Sequence, residues 1–228
     1  MTIKDLYPTM ATGPGKNFNG KRPEEQAARQ VLLAAAIALF AQKGYAGTSV
    51  REIVERAGVT KPVLYYYFKN KEGIFRAILE WAGKLQEEML GQVLDRAGSA
   101  LDRFIHLWRS VYMGVTEYQD LFNMIYNLIF GPPEGAPAYD FEQFQKEMVE
   151  TIKAIYVDGL ANGEVKEANP DEVACIILSL MDYSLHLDRV HPESIDPQRP
   201  ERLMRLAFRG LARDKLIRME EAGFNGDV

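Results

Sequence analysis

The sequence predicts an all-α fold, and three observations carry that prediction. Apolar residues recur at spacings of three and four through most of the chain. The segments they mark are divided by residues that end helices: Gly44, Gly58, Gly98-Ser99, Gly131-Pro132-Pro133, Asn162-Gly163, Asn169-Pro170 and the stretch from Pro192 to Pro200. No alternating strand pattern, hairpin dipeptide or long internal repeat stands out among them.

Residues 1–22 mix Gly, Pro, Thr, Asn and Lys without periodicity and read as a flexible basic tail. Pro23 suits a first helical turn, and Ala28, Leu32, Ala35 and Leu39 continue a helix that Gly44 stops. Ser49-Val50-Arg51-Glu52 is a capping box, in which the Ser49 hydroxyl and the Glu52 carboxylate satisfy each other's backbone amides. It opens a short helix over 50–57 with Val50, Ile53, Val54 and Ala57 as its apolar stripe, ended by Gly58. Thr60 then caps a second short helix that tolerates Pro62 in its first turn and turns Leu64 and Phe68 inward. Asn70 caps a longer helix carrying Ile74, Phe75, Ile78, Leu79 and Trp81. Beyond it the pattern predicts helices over 85–97, 100–112, 117–130, 141–160, 171–187 and 201–221.

Two short helices joined by a Gly-containing turn, the first packed on a preceding long helix, describe a helix-turn-helix. Such a unit presents the N-terminal end of its second helix to the DNA major groove. The residues there are Thr60, Lys61, Pro62, Val63, Tyr65, Tyr66 and Tyr67. A lysine can donate to guanine, and a valine can pack on a thymine methyl. Tyrosine hydroxyls, Lys71 and the amides at 60–63 suit phosphate oxygens. Helix pairs with a Gly turn also occur in proteins that bind no DNA. Three consecutive tyrosines favour the DNA reading, because successive residues rotate by about 100° and at least one ring must leave the packed face.

Composition opposes this until it is divided. The 228 residues are 47% hydrophobic and carry a formal net charge of −5. Residues 1–80, however, hold twelve Lys and Arg against seven Asp and Glu, a surplus of five positive charges, and the remainder is correspondingly acidic. The longest apolar run, 31–41, is about half a membrane crossing, and no signal-like segment opens the chain. The single cysteine, Cys175, makes no internal disulfide, and zinc-ligand spacing is absent. A cytoplasmic protein with no membrane association and no cofactor is the expectation.

The stretch from Ala34 to Leu79 resembles the TetR family of bacterial transcriptional regulators. It carries Phe40-x-x-x-Gly44-Tyr45, Thr48-Ser49-Val50-Arg51-x-Ile53, Ala57-Gly58-Val59 and Leu64-Tyr65-x-Tyr67-Phe68-x-x-Lys71 in the family's spacing. The resemblance implies a homodimeric repressor, less often an activator, that binds a palindromic double-stranded DNA operator and is released by a small-molecule effector. It places Arg51, Thr60, Lys61, Pro62, Val63, Tyr65, Tyr67 and Lys71 where members contact DNA. Lys61, Pro62 and Val63 hold the base-reading positions, and Tyr65 and Lys71 the phosphate-binding ones. Lys61-Pro62 departs from the small residue or Gly common near that helix start, and Tyr67 stands where His is also common. The domains implied are 23–70, a three-helix reading head, and 71–228, a larger helical domain for effector binding and dimerisation.

Family members enclose a pocket among the middle helices and pair through the last two. Here the middle segment is rich in large, soft side chains, and Trp108, Tyr112, Phe122, Tyr126, Phe130, Met148 and Tyr156, with Asp182, are the candidate lining for an apolar or aromatic effector. On the last helix Leu203, Leu206, Ala207, Gly210 and Leu211 form a stripe that the resemblance assigns to a two-fold interface, with an internal core as the alternative on spacing alone. Ser184, His186 and Asp188 do not make a triad, because on one helix His186 points away from the other two. Asp182 and His186 alone are too few for a metal site. No catalytic constellation supports an enzyme; an all-α enzyme and a helical adaptor remain the competing readings.

Overall fold

The computed structural model describes residues 23–131, 135–191, 193 and 196–211. Among them are nine helices: α1 (Pro23–Lys43), α2 (Val50–Ala57), α3 (Lys61–Phe68), α4 (Lys71–Leu94), α5 (Ala100–Glu117), α6 (Gln119–Phe130), α7 (Phe141–Ala161), α8 (Pro170–Val190) and α9 (Arg199–Leu211). The expected tail, 1–22, and the expected end of the last helix, 212–221, lie outside the described residues. Contacts group the described residues into two compact units, one within 23–91 together with 113–145, the other within 92–112 together with 146–211.

In the first unit α1 is the central element, packing against α2, α3 and α6. Its buried residues Leu32, Leu33, Ala36 and Phe40 form one apolar face, closed by Ile53, Leu64, Ile74, Phe75 and Ile78 from α2, α3 and α4. Burying each such side chain contributes about 1.5–3 kcal/mol. The Asn70-capped helix and the segment read from residue 85 are one continuous element, α4. Gly83 and Gly91 lie within it without breaking it, as glycine costs a helix only about 1 kcal/mol relative to alanine. The Asn70 side chain accepts from the Gly73 amide at 2.7 Å, which satisfies one first-turn donor.

In the second unit Phe104, Leu107 and Trp108 of α5, Ile152, Ile155 and Tyr156 of α7, and Val173, Ile177 and Met181 of α8 are buried together with Met204 of α9. Arg103 is buried too, and its charge is met by Asp158 at 2.8 Å and by the Leu94 carbonyl at 3.2 Å. An Arg199–Asp188 ion pair joins α9 to α8. A second capping device opens α5: the Ser99 hydroxyl accepts from the Asp102 amide at 3.1 Å, and the Asp102 carboxylate accepts from the Ser99 amide at 3.3 Å. Ser99-x-x-Asp102 states this in the sequence, in the same reciprocal form as Ser49-x-x-Glu52. Among the described residues no helix is long and apolar enough to cross a membrane.

Candidate nucleic-acid interface

The reading head is fixed by its caps. Ser49 Oγ accepts from the Glu52 amide at 3.2 Å while Glu52 accepts from the Ser49 amide at 2.9 Å. Lys43 donates to the same carboxylate at 2.6 Å, and these contacts hold its pKa down at about 2. Gly58, at φ 67°, ends α2 in the left-handed conformation and turns the chain into α3 after two residues. Thr60 caps α3 through its backbone alone: Val63 and Leu64 donate to the Thr60 carbonyl at 3.1 and 3.4 Å, with no bond from the Thr60 hydroxyl. Pro62 has no N–H and the Val63 amide is used internally, so fewer first-turn amides are offered to a phosphate than the sequence alone suggests.

Leu64 and Phe68 point into the head, fixing which side of α3 faces outward. On that side Thr60, Lys61 and Pro62 are exposed, Tyr65 is 48% and Tyr66 66% accessible, and Val63 and Tyr67 are half-buried. The Tyr66 and Tyr67 rings meet edge to face at 4.9 Å, which steadies two neighbouring hydroxyl-bearing rings. Lys69 ends the helix at φ 65°, a positive φ uncommon for a residue with a side chain, with its amide on the Tyr65 carbonyl at 3.0 Å. Arg51 is exposed and paired with Glu55 at 2.6 Å, one turn along α2.

Lys71, which the motif assigns to phosphate, is engaged within the head. Its ammonium donates to the carbonyls of Tyr45 and Thr48 at 2.8 and 2.9 Å and lies 4.1 Å from the centroid of the Tyr45 ring. It bolts the start of α4 to the turn between α1 and α2, and burial lowers its pKa. In Lys71→Met both carbonyls are stranded and the cation–π attraction to the Tyr45 ring disappears. We expect that substitution to cost about 2–3 kcal/mol in urea unfolding.

The candidate pocket residues do not share one unit. Phe122, Tyr126 and Phe130 lie on α6 in the first; Trp108, Tyr112, Met148, Tyr156 and Asp182 lie in the second. Phe130 is exposed and packs on Tyr126 at 4.8 Å. Trp108 is fully buried. Burial beside Asp188 pushes the Tyr112 hydroxyl up to about 12. Tyr156 is a clamp, its hydroxyl meeting the Lys166 carbonyl at 2.9 Å and the Ala168 amide at 2.6 Å, so its polar tip is spent on the turn before α8. Met148 is half-buried and Asp182 faces outward.

On α9, Leu203 and Ala207 are half-buried, Gly210 is exposed, and Leu206 is 64% accessible; the Leu211 side chain lies outside the described residues. A second apolar stripe, which the sequence reading passed over, runs along α8: Ile176, Leu180, Tyr183, Leu187 and Val190, spaced by four, three, four and three. Ile176, Tyr183 and Val190 are exposed within the single chain, on the flank of the buried Ile177–Met181–Ser184 face. The alternating spacing was the available signal.

The family described as bacterial regulatory proteins, tetR family, matches residues 32–78, the helix-turn-helix and its two flanking helices. The HTH-type transcriptional repressor KstR2 of Mycolicibacterium smegmatis is 30% identical over 151 residues, spanning 63% of this chain and 71% of that one. The HTH-type transcriptional regulator YuxN of Bacillus subtilis is 26% identical over 62% of this chain and 47% of its own. A solved complex of SmeT with triclosan has the same fold, with a TM-score of 0.67 at 22% identity over 83% of this chain and 94% of that one. With the motif, the capped reading head and these relatives in agreement, the chain belongs to the TetR family of DNA-binding transcriptional regulators.

Proposed function

We propose that this chain is a cytoplasmic repressor that binds a palindromic operator as a homodimer and leaves it when a small apolar or aromatic effector binds. The outward face of α3 carries the reading: a lysine, a valine and solvent-facing tyrosines on a helix whose inner side is locked into a core. Lys61 and Val63 are assigned to base edges, and Tyr65, Tyr66 and Tyr67 to flanking phosphates. Residues 23–70 form the reading head in this proposal, and 71–228 handle effector and dimer. The apolar stripes of α8 and α9 are assigned to the partner, since exposed apolar faces of this extent suit an isologous interface. Pairing would set two α3 helices about one DNA turn, roughly 34 Å, apart. Two relatives support the repressor and effector parts: KstR2 is named a repressor, and SmeT, the repressor of a Stenotrophomonas maltophilia multidrug efflux pump, has been solved with triclosan. α4 begins at the Lys71 bolt, so an effector that shifts α4 would alter the seating of the head. A duplex enriched from random DNA tests the reading. Binding should weaken by several powers of ten between roughly 50 and 200 mM salt if about six to ten phosphates are contacted across the dimer. Salt-independent binding would contradict it.

A further inference from the structure

The first compact unit holds a cavity of about 340 Å3 directly behind the reading head. Its floor is the aromatic trio Phe40, Tyr45 and Phe75, whose ring centroids lie 4.9 to 5.6 Å apart. One wall is Met124, Asn127 and Leu128 of α6, and the other side is the stretch 135–139 leading to Phe141. That stretch is strapped to α4: Tyr139 donates to the Leu79 carbonyl at 3.3 Å and Arg76 to the Ala138 carbonyl at 3.5 Å. Among the described residues no charged side chain lines the space. A space of this size falls within the range of small-molecule sites.

We propose that this cavity is a binding site for a small uncharged molecule of up to three aromatic or alicyclic rings carrying a hydrogen-bonding tip. The rings would lie on Phe40, Tyr45 and Phe75, and the tip would reach the Asn127 amide or the Tyr45 hydroxyl. None of the eight side chains that the sequence singles out as pocket lining takes part in it. The inference rests on the regulatory reading for its consequence, though not for the binding itself. Tyr45 forms the floor of the cavity and also holds Lys71 through its carbonyl and its ring. An occupant therefore presses on the same residue that bolts α4 to the turn preceding α2. That gives a ligand a direct mechanical route to α3, within one compact unit.

The test uses the full chain and N-phenyl-1-naphthylamine, an uncharged aromatic probe that fluoresces on leaving water. Saturable binding of one probe per chain is expected below about 100 μM. Ala136→Trp fills the cavity from its rim, at a half-buried loop position where folding is not at stake, and Leu128→Trp fills it from α6. Each should weaken probe binding by roughly tenfold or more, while Val157→Trp, at an exposed position of α7 in the second unit, leaves it unchanged. Absence of saturable binding, unchanged binding in a folded Ala136→Trp chain, or weakening by Val157→Trp alone would overturn the site. Saturating probe should also weaken binding to the enriched duplex in the parent chain and not in Ala136→Trp; equal DNA affinity with and without probe overturns the coupling. Failure to enrich any DNA sequence would refute the regulatory reading while leaving the probe titration intact, so the two failures are distinguishable.

Discussion

Tyr65→Ala and Lys61→Ala should each abolish most of the binding to the enriched duplex while leaving the fold intact. Both side chains stand in solvent on the outer face of α3, so neither substitution opens a cavity or strands a buried group. A direct contact to DNA contributes about 1–3 kcal/mol, and a symmetric dimer loses it twice, giving a loss of roughly a hundredfold or more. The two variants should differ in kind. Losing a base contact at Lys61 relaxes preference at one position in each half-site, whereas losing a phosphate contact at Tyr65 weakens all sequences alike. Fluorescence anisotropy on a panel of single-base variants reads this difference, with urea midpoints as the control for folding. Unchanged affinity in both variants would remove α3 from the interface.

A comparable loss is expected from the other end of the molecule. Tyr183→Glu and Leu206→Glu each place a carboxylate in the middle of an apolar stripe that is exposed in the single chain. If the stripes of α8 and α9 meet their symmetry mates, the new charge is buried twice without a partner, at a cost of several kcal/mol. Sedimentation velocity should then show a dimeric parent and monomeric variants of unchanged helicity. DNA binding falls with it, because the second half-site contact is no longer intramolecular, and avidity of about a hundredfold or more is lost. A monomeric parent, or variants that remain dimeric, would dissolve this assignment. Tyr183 and Leu206 already sit in solvent, so the fold of the single chain gives no reason for the variants to unfold.

Local chemistry explains which parts of the molecule are legible from sequence. The Ser49–Glu52 box and the Gly58 stop are satisfied by atoms three or four residues away, and both stand where the sequence puts them. Leu64 and Phe68, four apart, fix the inner face of α3 and thereby its outer one. The motif does not disclose the bolt at Lys71, because its partners, the carbonyls of Tyr45 and Thr48, are 26 and 23 residues away. Tyr156 shows the same limit: its spacing marks a buried aromatic, and the hold of its hydroxyl on the turn at Lys166 and Ala168, ten and twelve residues on, emerges only in three dimensions. The cavity behind the head is illegible for the same reason, since its walls come from four helices and two connecting segments spread over about a hundred residues of chain. The α8 stripe is the opposite case, present in the spacing from the start and visible as a surface only once Ile177 and Met181 are placed inside. Charge needs only a change of scale: the net −5 averages a basic reading head and an acidic remainder.

Selection of bound sequences from random duplex DNA reads the geometry itself, because two symmetric α3 helices leave a signature in the spacing of their half-sites. The expected product is an inverted repeat whose half-site centres lie about 10 base pairs or a small multiple apart. In Lys61→Ala the preferred base at one position in each half-site should change or disappear. Recovery of no enriched sequence, or of a single asymmetric site unaffected by Lys61→Ala, would contradict it.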